Sequence, residues 1–253
     1  MNFKELHKNE APLIICNVWD VSSAKAAEVA GFQAIATSSG AIASMLGYRD
    51  GEEISFEEVL YIVERIISHV KLPLSVDLEA GYSRDPLKIA EYISSLDRLG
   101  VVGLNLEDSL WKENRQLVKA EDFAAMLRAL SVVLEENRIN TFLNIRTDPF
   151  LLGHPEPLEE SIHRAKIYAA AGADGLFVPC ISKEEDIKSL IAATSLPVNV
   201  MCMPELADFS ELKSWGVSRI SMGNFLFNRK AAYLQNLMAE IKTKSSFSPV
   251  FQD

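Results

Sequence analysis

Short apolar runs alternate with longer amphipathic stretches along almost the whole chain. Residues 13–18 read as a first strand. A helix over 21–30 follows and is ended by Gly31, glycine being a usual residue just past a helix C-terminus. Residues 33–37 form a second strand, and a long polar connection over 38–54 leads to a helix over 55–69. The rhythm then repeats. Strands are expected over 73–77, 101–106, 141–145, 173–178, 197–201 and 217–221, with helices over 85–99, 120–137, 157–171, 183–194, 209–215 and 225–244. Eight strand-like and eight helix-like segments in strict alternation make parallel βαβ units, and these close most simply into a (β/α)8 TIM-type barrel. An open doubly wound sheet would carry a glycine-rich phosphate loop after its first strand; here that stretch is Asn17-Val18-Trp19-Asp20-Val21-Ser22-Ser23. No linker interrupts the pattern, so residues 1–253 are expected to form one domain, with a polar and flexible tail over 245–253.

Composition narrows the chemistry. At 253 residues with 48% apolar and 24% charged residues, the chain has ordinary globular values. No apolar run reaches the roughly 20 residues of a membrane helix, and the N-terminus lacks the apolar core of a secretory signal. A formal charge of −10 argues against nucleic-acid binding, which relies on clustered Lys and Arg. Three widely spaced cysteines, Cys16, Cys180 and Cys202, read as free thiols of a cytoplasmic protein.

Active sites of such barrels lie at the C-terminal strand ends. Those ends supply Trp19 and Asp20, then Ser38, Ser39 and Gly40, then Asp77 and Glu79, then Glu107 and Asp108, then Arg146 and Asp148. In Asp77-Leu78-Glu79, residues two apart on a strand point the same way, so both carboxylates are expected at one rim, beside Glu107. Carboxylates so crowded repel, and a hard divalent cation such as Mg²⁺ relieves them. Any one of these acids could instead cap a helix or pair with a basic residue. Small residues at 38–40 expose N–H groups that can hold an oxyanion, although an ordinary Ser-Gly turn would look the same. Asn144 and Arg146 share a strand face, and the Arg fork matches a carboxylate. His154 lies in a loop near the expected mouth; His7, His69 and His163, like Cys180 and Cys202, read as structural.

Together, Thr37-Ser38-Ser39-Gly40, Leu46-Gly47-Tyr48-Arg49-Asp50, Val76-Asp77-Leu78-Glu79-Ala80-Gly81-Tyr82, Gly103-Leu104-Asn105-Leu106-Glu107-Asp108 and Asn144-Ile145-Arg146-Thr147-Asp148 resemble the isocitrate lyase/phosphoenolpyruvate mutase superfamily, over residues 17–227. The resemblance implies a barrel whose last helix is often exchanged between subunits of a homodimer or homotetramer. It implies Mg²⁺, with Mn²⁺ as a substitute, near Asp77, Glu79 and Glu107, with Asp50 linked through water. It implies that Ser39 and the backbone of Gly40 and Ala41 hold substrate oxygens and that Arg146 holds a carboxylate or phosphonate; Trp19 at the end of the first strand and Asn144 beside Arg146 are further substrate-binding candidates from their strand positions.

The loop over 107–115 lacks the cysteine acid of the isocitrate-cleaving members, so the chain resembles that subgroup less. Ser109 stands where mutases have lysine and Cys180 where they have histidine, while Asn114 is close to their loop asparagine. The expected activity is lysis of a C–C or P–C bond next to a small anionic 2-oxo acid, either oxaloacetate decarboxylation or cleavage of a substituted malate with Tyr82 or a loop residue as acid. A phosphonomutase or phosphonopyruvate hydrolase activity, or a non-catalytic metabolite-binding paralogue, are the alternatives.

Overall fold

The computed structural model describes residues 3–111 and 113–251. Elements follow in the order α1 (Phe3–Leu6), β1 (Leu13–Val18), α2 (Val21–Val29), β2 (Ala34–Thr37), α3 (Ser39–Leu46), α4 (Phe56–Ile67), β3 (Leu74–Asp77), α5 (Pro86–Arg98) and β4 (Gly103–Glu107). After these come β5 (Ser109–Trp111), β6 (Arg115–Leu117), α6 (Ala120–Glu136), β7 (Phe142–Arg146), α7 (Pro157–Ala169), β8 (Gly175–Val178), α8 (Glu184–Ala193), β9 (Val198–Met201), α9 (Phe209–Trp215), β10 (Arg219–Ser221) and α10 (Phe225–Lys244). Eight parallel strands close into a barrel in the order β1-β10-β9-β8-β7-β4-β3-β2, while β5 and β6 form a separate antiparallel hairpin. The chain is therefore a (β/α)8 barrel, as the alternation of its apolar runs predicts.

Alternation along each strand sorts the core. Val18, Ile35, Val76, Leu104 and Ile145 point outward to the helices, while Leu13, Ile15, Ala34, Ala36 and Phe142 fill the barrel's lower interior. The N-terminal helix closes the bottom: Phe3 and His7 pack against Phe142, the imidazole stacked at 4.1 Å between ring centroids.

Two segments depart from the sequence expectation. Residues 39–46, expected within a polar connection, form helix α3. Ser38 caps it by accepting from the Ala41 N–H at 3.4 Å, and Gly47 ends it in a left-handed conformation at φ 86°. The loop after β4 folds into the β5–β6 hairpin. At the C-terminus, Ser248–Phe251 form a 3-10 turn; the tail expected over 245–253 lies partly outside the described residues. Helix α10 buries none of its residues, leaving Tyr233, Leu234 and Met238 exposed. Among the described residues no helix is long and apolar enough to cross a membrane.

Candidate active site

A cavity of about 370 Å³ opens at the C-terminal end of the barrel, lined by Ser38, Ser39, Gly40, Asp50, Asp77, Asn105, Trp111, Arg115, Arg146 and residues from the ends of β8 to β10. Its acidic centre is built from three elements. Asp77 ends β3, Ser39 opens α3, and Asp50 lies in the loop after α3. The Ser39 hydroxyl joins the two acids, 2.9 Å from Asp77 Oδ2 and 3.2 Å from Asp50 Oδ1, and the Ser39 N–H also donates to Asp77 at 3.3 Å. Because α3 begins here, the amide ends of its first turn face the same space, where helix geometry favours negative charge. The Gly40 backbone lines the cavity, but the Ala41 N–H is taken by the Ser38 cap.

Glu79 does not stand beside Asp77 on a strand face. The strand stops at Asp77, and Glu79 adopts a left-handed backbone at φ 48°, which turns its carboxylate beneath the loop carrying Asp50. There it is 1% exposed and accepts from the Glu52 N–H at 2.7 Å and the Tyr82 hydroxyl at 2.9 Å. Burial, reinforced by the charges of Asp50 and Asp77, pushes its carboxyl up to about 8. Tyr82 is correspondingly committed. Burial first, then Glu79, raise its hydroxyl far above the ordinary range, so it is a fixed donor to Glu79 and does not line the cavity.

Glu107 lies across from Arg146 in the register of β4 and β7. Its carboxylate is buried behind the cavity wall, 2.9 Å from Arg146 Nη1 and in contact with Arg115. Burial raises this carboxyl against the pull of both guanidinium groups. Arg146 also grips both oxygens of Asp148, at 2.7 and 3.1 Å. Asp108 belongs to a separate buried network. It accepts from Thr147 Oγ1 at 2.6 Å, Arg164 Nη1 at 2.8 Å and the Tyr168 hydroxyl at 2.8 Å, which ties the end of β4 to α7.

Ser39, Gly40, Asp50, Asp77 and Arg146 are thus brought together as expected. Asn144 lies just below, its amide donating to Asn105 at 2.8 Å and Asn199 at 3.1 Å. Trp19 faces a different, apolar cavity of about 420 Å³ between α2 and the start of α10. Asn114 sits exposed in the hairpin turn, where it accepts from Gln116 at 2.8 Å. His154 accepts from the Glu156 N–H in its own loop and does not line the cavity. Arg115, which the strand-end map omits, reaches in from β6 to touch Asp50, Glu107 and Asp148.

The donor set fits a hard cation in one respect and limits it in another. Asp50 and Asp77 offer oxygen ligands to one cavity and have a shared hydroxyl to orient them. Among the described residues, however, no three acidic, His or Cys side chains converge closely enough to hold an ion alone. At most two direct carboxylates suits Mg²⁺, which keeps several waters.

The sequence profile of the phosphoenolpyruvate phosphomutase family matches residues 3–242. A Mycobacterium tuberculosis protein of uncharacterised function is 33% identical over 88% of this chain and 82% of its own. An oxaloacetate decarboxylase of Rhodopseudomonas palustris is 30% identical over 78% of this chain and 68% of its own. A Burkholderia cenocepacia J2315 crystal structure, provisionally described as a phosphonomutase, superimposes with a TM-score of 0.88 at 38% identity, covering 94% of this chain and 97% of that one.

Proposed function

The chain belongs to the phosphoenolpyruvate phosphomutase family, and on that premise we propose that it is a Mg²⁺-dependent lyase that breaks the carbon–carbon bond next to a small 2-oxo acid, with oxaloacetate decarboxylation as its leading reaction. The observation that carries this reading is the composition of the cavity wall. Asp50, Asp77, Ser39, Gly40 and Arg146 face the space, while among the described residues no His, Cys, Tyr or Lys does. A wall without those residues among the described ones suits a leaving group that needs no proton, and CO₂ is one. The relative named for oxaloacetate decarboxylation supports the same choice.

Asp77 and Asp50, the two acids that line the cavity, would hold the cation. Bound there, Mg²⁺ or Mn²⁺ supplies a Lewis acid that stabilises the enolate charge. The chain's own groups do the rest. Ser39 fixes the two carboxylates, and the Gly40 amide at the start of α3 faces the oxygen on which charge grows. Arg146 supplies a positive wall, and Trp111 and Arg115 of the β5–β6 hairpin line the mouth. As the C3–C4 bond of oxaloacetate breaks, its electron pair passes to the C2 oxygen, CO₂ departs, and water later protonates C3 to give pyruvate.

The test is an assay of oxaloacetate, phosphonopyruvate and 2-methylmalate-type acids with and without EDTA, alongside titration of Mg²⁺ and oxalate. EDTA-reversible pyruvate formation from oxaloacetate is expected. Inactivity on all three by well-folded protein, with no Mg²⁺-dependent oxalate binding, would overturn the proposal. Oxalate binding without turnover would mark a metabolite-binding paralogue instead.

We also propose a homo-oligomer. Helix α10 carries exposed Tyr233, Leu234 and Met238 and has no fully buried residue, while Phe227 packs on the core beside Trp19. Beside its start, Trp19 leaves its indole N–H without a partner next to an apolar cavity. A second copy would cover both surfaces.

A further inference from the structure

Two guanidinium groups face the barrel-mouth cavity, and they are held differently. Arg146 is fixed, with Nε and Nη2 on the two oxygens of Asp148 at 2.7 and 3.1 Å and Nη1 2.9 Å from Glu107 Oε2. It stands on a barrel strand, β7. Arg115 stands on the β5–β6 hairpin, its guanidinium 5.2 Å from the centre of the Trp111 ring. Its Nη1 is shared among Glu107, Ser109 Oγ at 3.1 Å and Asp148 at 3.3 Å, and Nη2 pairs with Asp50 at 3.4 Å. Among the described residues its Nε has no partner.

Withdrawal of Arg115 would be tolerated by its partners. Glu107 and Asp148 would each retain Arg146, so neither buried acid would lose its last cation, the case that is strongly destabilising. Asp50 alone would lose an ion pair, and Asp50 is one of the two acids assigned to the metal. A divalent cation arriving at Asp50 and Asp77 would take over that carboxylate. It would also repel the guanidinium, because like charges at a few ångströms in a partly dry cavity interact strongly. The displaced arginine would then need an anion, and Arg115 lines the cavity where substrate would sit.

We propose that Arg115 is the specificity-determining residue of this site: it exchanges its internal carboxylates for the distal anionic group of the substrate, so that dianionic 2-oxo and 2-hydroxy acids are selected over monoanionic ones. This rests on the metal-dependent lyase reading above and adds the substrate's charge to it. A planar guanidinium matches a carboxylate with two parallel hydrogen bonds. Arg146 cannot take this part without releasing Asp148, which is 0% exposed.

The experiment compares malate with lactate, matched 2-hydroxy acids that differ in the distal carboxylate, together with oxalate, which lacks a distal group. Dissociation constants are measured by calorimetry on the full chain with saturating Mg²⁺. Wild type is expected to prefer malate by about tenfold or more, the size of one charge-assisted hydrogen-bonded contact. Arg115→Gln should weaken malate binding by a similar factor while leaving lactate and oxalate within about twofold of wild type. Arg115→Lys, which keeps the charge but not the fork, should fall between. An unchanged malate-to-lactate ratio in Arg115→Gln, with oxalate binding intact, would overturn the proposal. Failure of wild type to bind oxalate with Mg²⁺ would instead overturn the metal reading, and this inference with it.

Discussion

The indole of Trp111 rests on Gly51. A Cβ at Gly51 would fall 2.0 Å from Trp111 Cδ1, and the residue sits at φ +113°, where side chains are strained in any case. The contact seats the hairpin that carries Arg115 on the loop that carries Asp50. Gly51→Ala must therefore expel the indole and strain the loop, a loss of about 1–3 kcal/mol. Urea denaturation should show that loss and tryptophan emission should shift to the red, with far-ultraviolet dichroism unchanged. Wild-type emission and stability would mean that the indole is not seated there.

Ser39 is the hinge of the acidic centre. Ser39→Ala removes the hydroxyl that lies 2.9 Å from Asp77 and 3.2 Å from Asp50 while leaving the Ser38 cap of α3 in place. Groups that orient metal ligands are worth about 10–100-fold in affinity, so Mg²⁺ binding in the presence of oxalate should weaken by that factor. Calorimetry that found wild-type affinity would remove Ser39 from the cation's surroundings.

Stability of the metal-free chain should depend on pH in two opposite ways. Glu79 is raised from 4.5 to about 8, so between those values the folded chain keeps a proton that the unfolded chain has lost. That contribution is present below about pH 4.5 and is lost as pH rises through 8. His7 is lowered from 6.5 to about 4, chiefly by burial and then by the charge of Arg219. Its contribution is present above pH 6.5 and is lost as pH falls through 4. Urea midpoints in EDTA should therefore fall on both sides. Glu79→Gln should make the alkaline side shallower and His7→Phe the acid side. An alkaline limb unaltered in Glu79→Gln would show that its carboxylate is not the group responsible.

If a second copy covers α10, charges placed on its apolar face should break the assembly. Met238 is 59% exposed and Leu234 45%, so Leu234→Asp with Met238→Asp costs nothing in a monomer that leaves α10 bare. Light scattering after size exclusion should show a homodimer or homotetramer in wild type and a smaller species in the double variant. A monomeric wild type would end the oligomer proposal.

The barrel was legible because its strands are apolar runs spaced by helices with one buried face, a pattern that burial imposes wherever the chain is cut. Helix α3 was hidden because Ser38-Ser39-Gly40 is turn chemistry and helix cap at once, and only the packing of Ala41, Ile42 and Ala43 decides between them. The hairpin was hidden because strands of three residues carry no readable period. Asp77, Ser39 and Arg146 were placed correctly by the rule that strand ends meet at one rim. Glu79 escaped that rule because its strand ends at Asp77, as expected, and the backbone at Glu79 turns left-handed instead of continuing the strand's alternation. Trp19 escaped it because β1 ends at Val18 and the next residue turns toward the outer helices. Arg115 could not be found by spacing at all, since its partners Asp50 and Asp148 are 65 and 33 residues away along the chain.

Phe3, His7 and Phe142 pack together at the lower end of the barrel, opposite the cavity that Asp77 lines. A ligand that reaches Asp77 from the mouth meets Trp111 and Arg115, which line the same cavity from the hairpin. Both side chains stand on strands of only three residues, Ser109–Trp111 and Arg115–Leu117, so this side of the site has little backbone pairing of its own to hold it.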